Sequence, residues 1–277
     1  MSNGMKFGAV AFLDALGFKG LWQKYLGKNN DADPLVTKFR RIRELGVAQF
    51  RPSNPGDPAW WCLEEFWPRS SPEFQISFLS DSIIAACWFE NNENAQGLTG
   101  ERDRTGYKLA TQLLWCLAFR LSRLIHDSIC GEPRISYRGC ISIGHFRIED
   151  SWLAIGPAID EAASLEREVD AGIVWLAPSA RQYIEWEMKP LKPACLFEYE
   201  VPIKGRTPIP SIVVNPLALI GVEDAIANWK QWCLSTFDRA SDSDTVLDKR
   251  RNTNAFLESA SRIVTELNLS RAPRQRP

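Results

Sequence analysis

Four charged side chains stand where an ordinary soluble sequence would not put them. Asp14 closes the apolar run Ala9-Val-Ala-Phe-Leu, Asp81 falls between the apolar stretches Phe74–Leu79 and Ile83–Trp88, Arg138 interrupts Ile135–Phe146, and Lys204 sits in the turn Val201-Pro-Ile-Lys-Gly-Arg206. A cation inside a buried strand is costly unless it meets an anion. Strand alternation puts Phe12 and Asp14 on one face. Beyond them, Gly17 lets the backbone come close to a ligand. The N–H groups of Gly17, Phe18 and Lys19 would point out of a helix N-terminus, a seat for phosphate with the lysine charge beside it. A carboxylate next to such a seat makes chemical sense when a divalent metal bridges the two. The same residues also read as a plain strand–turn–helix, with a solvated Asp14 helping to cap the helix.

Composition narrows the chemistry. The chain has 277 residues, 45% hydrophobic and 24% charged, enough to bury a substantial core. A net charge of −1 offers no basic surface for nucleic acid. With two histidines, His126 and His145, a multi-histidine metal site is not expected, and carboxylate ligands favour magnesium or manganese over zinc. Seven cysteines, with no C-x-x-C pair, read as reduced and mostly buried thiols of a cytoplasmic protein. No apolar run reaches the length of a bilayer span and no signal-peptide pattern opens the chain, so no membrane association is expected.

The elements that must position these residues follow from periodicity. Residues 7–14 read as a strand, followed by a helix from Phe18 toward Leu26 and a second helical segment over 35–48. That segment carries Lys38, Arg40, Arg41 and Arg43, expected on a solvated face. Residues 51–71 form a Trp/Pro-rich insertion. Residues 73–89 read as a hairpin with Leu79-Ser-Asp-Ser82 at its tip, holding Asp81 at the turn. An amphipathic helix is expected over 105–129, with Leu109, Leu113, Leu117, Leu121 and Leu124 on one stripe and His126 near its end, on the surface or capping. A buried strand spans 134–148, and a glycine turn leads into a helix over 155–169. On that helix Asp160, Ser164 and Arg167 share a face. Strands near 172–176, 195–201 and 210–215 and helices over about 221–238 and 246–267 complete the chain, before a basic tail.

The order of motifs resembles the class III nucleotidyl cyclases, the adenylate and guanylate cyclase catalytic domain. Phe12-Leu-Asp-Ala-Leu-Gly-Phe18 resembles the first metal motif (F-x-D-I-x-G-F-T), and Leu79-Ser-Asp-Ser-Ile-Ile-Ala85 the hairpin (G-D-x-x-x-A). Tyr137-Arg-Gly-Cys-Ile-Ser-Ile-Gly144 is similar to R-x-G-I-H-x-G, Gly156-Pro-Ala-Ile-Asp-Glu-Ala-Ala-Ser-Leu-Glu166 to G-x-x-V-N-x-A-A-R-L-E, and Ile203-Lys-Gly-Arg206 to the late K-G-K turn. The resemblance covers roughly residues 6–215. It implies an α/β (α+β) fold, the ferredoxin-like βαββαβ cyclase palm with a central antiparallel sheet. A catalytic unit would span 1–220 and a C-terminal helical extension 221–277. It also implies two divalent metals on Asp14, Asp81 and the backbone carbonyl of Ala15, with manganese favoured and magnesium next. Gly17, Phe18, Lys19, Arg138 and Lys204 would hold a nucleoside triphosphate, and the partner in a homodimer would supply the helix face.

Departures from the pattern sharpen the expectation. Ser77 stands where adenylate cyclases carry Lys and guanylate cyclases Glu, and Leu153 stands at the partner position, leaving Phe12, Ser77 and Leu153 as the base pocket. The transition-state Asn becomes Asp160 and the Arg becomes Ser164. Hydrogen-bond readout of a base can be worth ~10⁴-fold or more, so the loss of both purine-reading patterns argues against ATP and GTP. The stand-alone pyrimidine cyclases of bacterial Pycsar antiphage systems share this pattern. UTP conversion to cyclic UMP is therefore expected, with a separate cyclic-nucleotide-responsive effector reading the product. The alternatives are cytidylate cyclase, a purine cyclase with an atypical pocket, and a catalytically silent nucleotide-binding module. Arg167 is the candidate replacement for the missing arginine, against a plain surface ion pair with Glu166 or Glu168.

Overall fold

Alternation along the first strand sets the architecture. In β1 (Lys6–Leu16), Ala9, Ala11, Leu13 and Ala15 point into the main core, while Val10 and Phe12 point into a smaller cluster on the opposite face. A strand apolar on both faces must be covered on both, and β1 lies mid-sheet for that reason. The computed structural model describes residues 4–18, 21, 33–47, 72–90, 104–149, 153–185, 195–220, 223–239 and 243–271. The Trp/Pro-rich insertion, Cys62, the polar loop at 91–103, Lys19 and the end of the basic tail lie outside the described residues.

The remaining strands are β2 (Glu73–Leu79), β3 (Ser82–Trp88), β4 (Ser136–Glu149), β5 (Leu153–Ile155), β6 (Val174–Leu176), β7 (Leu196–Val201) and β8 (Ile209–Val214). They form one sheet in the order β2-β3-β1-β4-β6-β8-β7, with β5 paired to the far end of β4. Every pairing is antiparallel except β4 with β6. The helices are α1 (Asp33–Val47), α2 (Arg104–Ile129), α3 (Pro157–Glu166), α4 (Pro178–Glu185), α5 (Glu223–Leu234) and α6 (Asp244–Arg271), with a 3₁₀ turn at Phe237–Arg239. The expected mixed α/β fold around a mostly antiparallel central sheet is the one observed.

Of the expected leucine stripe on helix α2, Leu113, Leu117, Leu121 and Leu124 enter the main core and Leu109 is only half-buried; Leu114 and Trp115, off the stripe, are buried as well. Helix α3 covers the other face with Ala158 and Ile159, which pack on Val10, Ile84, Ala86 and Phe146. Trp229, Cys233, Phe256, Leu257 and Ala260 of α5 and α6 belong to the same core as the sheet. Helix α6 is also tied to the loop before β6: Asn252 Nδ2 donates to the Asp170 carbonyl at 3.0 Å, and the Gly172 amide donates to Thr253 Oγ1 at 2.8 Å.

Several expectations change. β1 runs on to Leu16 because β4 continues to pair with it through Leu16 and Ser136. β5 and α4 are new; each is too short to leave a periodic signal. The basic cluster of α1 divides: Arg40, Arg41 and Arg43 are exposed, but Lys38 is buried and its ammonium donates to the carbonyls of Asp127 (2.9 Å), Cys130 (2.7 Å) and Gly131 (3.4 Å) at the end of α2. An ammonium there answers both the orphan carbonyls and the negative end of the helix dipole. His126 packs parallel to Trp229, ring centroids 6.0 Å apart, and its carbonyl accepts the Trp229 indole N–H at 3.1 Å. The described cysteines are free, and all but the half-buried Cys130 are buried.

Candidate active site

Asp14 is the next even residue after Val10 and Phe12, so the pleat that fills the α3-side cluster carries its carboxylate to the same face at the sheet's end. There the apolar lining stops. Asp14 lies opposite Ser82 on β3 and opposite Arg138 on β4. Directly paired residues of antiparallel strands share a face and stand close enough to interact. Accordingly Arg138 Nη2 meets Asp14 Oδ2 at 3.0 Å, while the Ser82 hydroxyl is 3.5 Å from Asp14 Oδ1.

Arg138 is held from a second side. Its Nε lies 2.5 Å from Glu166 Oε1, an ion pair off hydrogen-bond geometry. The three side chains grade outward, 3% exposed at Glu166, 13% at Arg138 and 26% at Asp14. Burial pushes the Glu166 carboxyl up, opposed by the Arg138 guanidinium. Lys204 joins from the β7–β8 turn: its ammonium donates to the Arg167 carbonyl just beyond α3, and its own amide donates to the Glu168 carbonyl at 2.9 Å. Burial lowers the Lys204 pKa, with Arg138 acting in the same direction and Glu166 against it. The glycine after Arg138 answers to packing. A Cβ on Gly139 would sit 2.5 Å from the Phe12 carbonyl, so β4 approaches β1 this closely only with glycine there.

Asp81 is fixed by the hairpin. Leu79 pairs with Ser82, which leaves the two-residue turn Ser80-Asp81, and Ser80 adopts φ 61, a conformation more usual for glycine. That turn lies at the same sheet end as Asp14. Both carboxylates act on the Tyr137 hydroxyl, whose pKa rises first through burial, then through Asp81 and Asp14. The Tyr137 hydroxyl is buried without a hydrogen-bond partner among the described residues. The sequence assigns no site role to Tyr137, and offers Glu166 only as a surface partner for Arg167; the structure buries Glu166 against Arg138 instead.

The other predicted residues divide clearly. Gly17 has φ +70, and its carbonyl accepts the Leu21 amide at 3.2 Å; most of the helix expected from Phe18 toward Leu26 lies outside the described residues. Phe12 and the buried Ser77 (1% exposed) occupy sheet positions level with one another, through Ser77–Ile84 and Ile84–Phe12 pairing. Leu153 pairs with Glu149, nine positions along β4 from the Cys140 that faces Phe12, or ~30 Å of strand. The sheet therefore does not set Ser77 and Leu153 side by side. On α3, Ala158, Ile159, Ala162 and Glu166 are buried, while Asp160, Ser164 and Arg167 are exposed. Among the described residues Arg167 forms no ion pair: Glu166 is taken by Arg138, and Glu168 lies 3.9 Å from Arg206.

The donor set suits magnesium or manganese. Such ions are held by one or two carboxylates together with substrate phosphates. Two aspartates and the Ala15 carbonyl gather at one sheet end, and among the described residues no group of three or more His, Cys, Asp or Glu side chains is placed to hold a metal alone. No described helix is long and apolar enough to cross a membrane.

No family model and no curated protein matches the chain. Solved structures do. The adenylyl cyclase CyaB from P. aeruginosa aligns over 77% of this chain and 96% of its own, at 12% identity and TM-score 0.42. The catalytic core of a rhodopsin-guanylyl cyclase with converted specificity, in complex with ATPαS, aligns over 76% and 96%, at 13% identity and TM-score 0.38. Adenylate cyclases from Trypanosoma brucei in their monomeric state align over 78% and 91%, at 13% identity and TM-score 0.35.

Proposed function

We propose that this chain is a nucleotidyl cyclase acting on a pyrimidine nucleoside triphosphate, with UTP converted to 3′,5′-cyclic UMP and pyrophosphate. One observation carries the reading. Asp14, Asp81 and Arg138, far apart in sequence, converge at one sheet end, and Lys204 is held at the Arg167 carbonyl, next to the Glu166 that pairs with Arg138. Two acids and two cations in one place suit a substrate that brings both metal ions and a polyanion.

Asp14, Asp81 and the Ala15 carbonyl would hold two divalent ions, manganese favoured. When bound, these supply a lowered pKa at the ribose 3′-hydroxyl and charge to brace the α-phosphate. The amides of Gly17, Phe18 and Lys19 seat the phosphates, and Arg138 and Lys204 take the triphosphate charge. The O3′–Pα bond forms as the bond from Pα to the pyrophosphate oxygen breaks, and the hydroxyl proton is lost. Charge grows on the leaving pyrophosphate, where fixed cations contribute most. The exposed face of α3, with Asp160, Ser164 and Arg167, reaches a second copy's site in a symmetric dimer. Phe12 and Ser77, level with one another on the sheet, line the base pocket; Leu153, paired far along β4, is not part of it. Residues 1–220 form the catalytic unit and 221–277 a helical extension. The product serves as a second messenger for a separate cyclic-nucleotide-responsive effector, as in antiphage signalling.

The test is incubation of pure protein with each of the four nucleoside triphosphates and Mn²⁺, followed by mass spectrometry. Cyclic UMP as the main product is expected. Cyclic CMP, a cyclic purine nucleotide or no product would each replace the reading with a different one.

A further inference from the structure

The residues assigned so far leave one buried carboxylate unused. Glu166, at the last turn of α3, is buried and directed onto the cation that also holds Asp14. We propose that Glu166 is a positioning residue that grips Arg138 by its Nε edge, so that the Nη2 now on Asp14 can turn to the triphosphate when Asp14 takes a metal ion. This inference rests on the cyclase reading and names a part that reading does not contain.

The geometry separates the two partners of Arg138. A guanidinium has five donors in a rigid fork and can serve different acceptors from different edges. Exposure rises from Glu166 through Arg138 to Asp14, so Glu166 is the anchored end of the chain and Asp14 the open one. Asp14 is needed elsewhere in the reaction. Without Glu166 it would be the sole carboxylate on Arg138 among the described contacts, and the guanidinium would compete with the metal for it. The same helix end manages the second cation, because the Arg167 carbonyl accepts the Lys204 ammonium. A helix C-terminus favours cations in any case. The last turn of α3 thus presents both phosphate-binding cations, one by a side chain and one by a backbone carbonyl.

The measurement is calorimetric binding of inorganic triphosphate with Mn²⁺ to the full chain and to Glu166→Gln, Glu166→Asp, Arg138→Gln and the Arg138→Gln/Glu166→Gln double variant. Melting curves are recorded for each. Glu166→Gln should weaken binding ~10- to 100-fold, the range seen when an outer partner of a binding ligand is lost. Glu166→Asp should recover part of the loss. On the Arg138→Gln background the Glu166 change should add nothing. Charge counting gives the opposite sign: removing a negative charge beside an anion site would tighten binding. Tighter or unchanged binding in Glu166→Gln, with Arg138→Gln impaired, overturns the inference and leaves the cyclase reading standing. Failure of the unaltered protein to bind triphosphate overturns both. If Glu166→Gln does not fold, Glu166→Asp carries the test alone, and full affinity there overturns the inference.

Discussion

Lys38 and Arg138, one buried and one largely covered, are cations held in opposite ways. Lys38, 6% exposed, gives its protons to three backbone carbonyls at the end of α2. Arg138 donates to the Asp14 carboxylate and is ion-paired with a second carboxylate, Glu166. Carbonyls of a helix end have no other use, so the Lys38 contact is permanent and structural. A carboxylate can trade a guanidinium for a metal ion, and a guanidinium can trade a carboxylate for a phosphate, so the Arg138 contact can be exchanged. The charges are alike, and the acceptors decide which cation can work.

The largest effect is expected at the exchangeable end. Asp14→Asn and Asp81→Asn should each lower turnover by ~10³-fold or more, since each removes a ligand charge from the site where the triphosphate must be received. Folding should survive, because Asp14 is partly exposed and Arg138 keeps Glu166. Near-normal turnover in either variant would remove the metal assignment and, with it, the contrast with Lys38.

Next comes Arg167→Ala, expected to lower kcat by ~10²-fold with an unchanged melting temperature, as for loss of one preorganised donor to developing charge. Its guanidinium is exposed and makes no ion pair among the described residues, so stability has little to lose. Mixing Arg167→Ala subunits with Asp14→Asn subunits should restore part of the activity, because one of the two sites in the mixed dimer is intact. No restoration would place all the machinery within one chain.

At the permanent end the pattern should invert. Lys38→Met leaves three carbonyls at the end of α2 without their ammonium donor, at a cost of ~1–3 kcal/mol, while activity per folded molecule is retained. Thermal melts and specific activity read the two separately; a variant that loses activity but keeps its stability would erase the distinction. The pH dependence has a definite sign. Burial, then Arg41, lowers the Lys38 pKa to about 8. Its unfolded value is ~10.4, so between these limits the unfolded chain holds more protons and stability rises with pH. The unaltered protein should therefore gain stability relative to Lys38→Met from about pH 8 upward.

The smallest effect concerns the hairpin tip. Ser80→Gly relieves a left-handed residue at a cost of some unfolded-state entropy, for a net gain of ~0.5 kcal/mol or less with activity kept. A large loss of activity would mean that the Ser80 side chain, and not only the turn, positions Asp81.

How much of this could be read from sequence depends on how local each contact is. The hairpin at 73–89 and the long helix at 105–129 were legible, because pleat alternation and the leucine stripe are local patterns. Asp14 and Asp81 were legible because a carboxylate that ends an apolar run is conspicuous. Lys38 was not: on α1 it is one basic residue among four, and what buries it is the end of α2, about 90 positions away. Glu166 was not, because its partner lies on a strand and only the packing of α3 on β4 joins them. Helix α4 is brief, yet Pro178 at its first position was a usable start signal.

The tie between α6 and the loop before β6 also has a meaning in time. Gly172 and Thr253 are 81 residues apart. A ribosome adding 5–20 residues per second leaves the Gly172 amide without its native acceptor for roughly 4–16 s. During that interval β6, β7, β8 and α5 are synthesised, and α6 starts only at its end. Ribosome-released fragments ending before residue 244 should therefore be more open to proteases at 170–172 than the whole chain is.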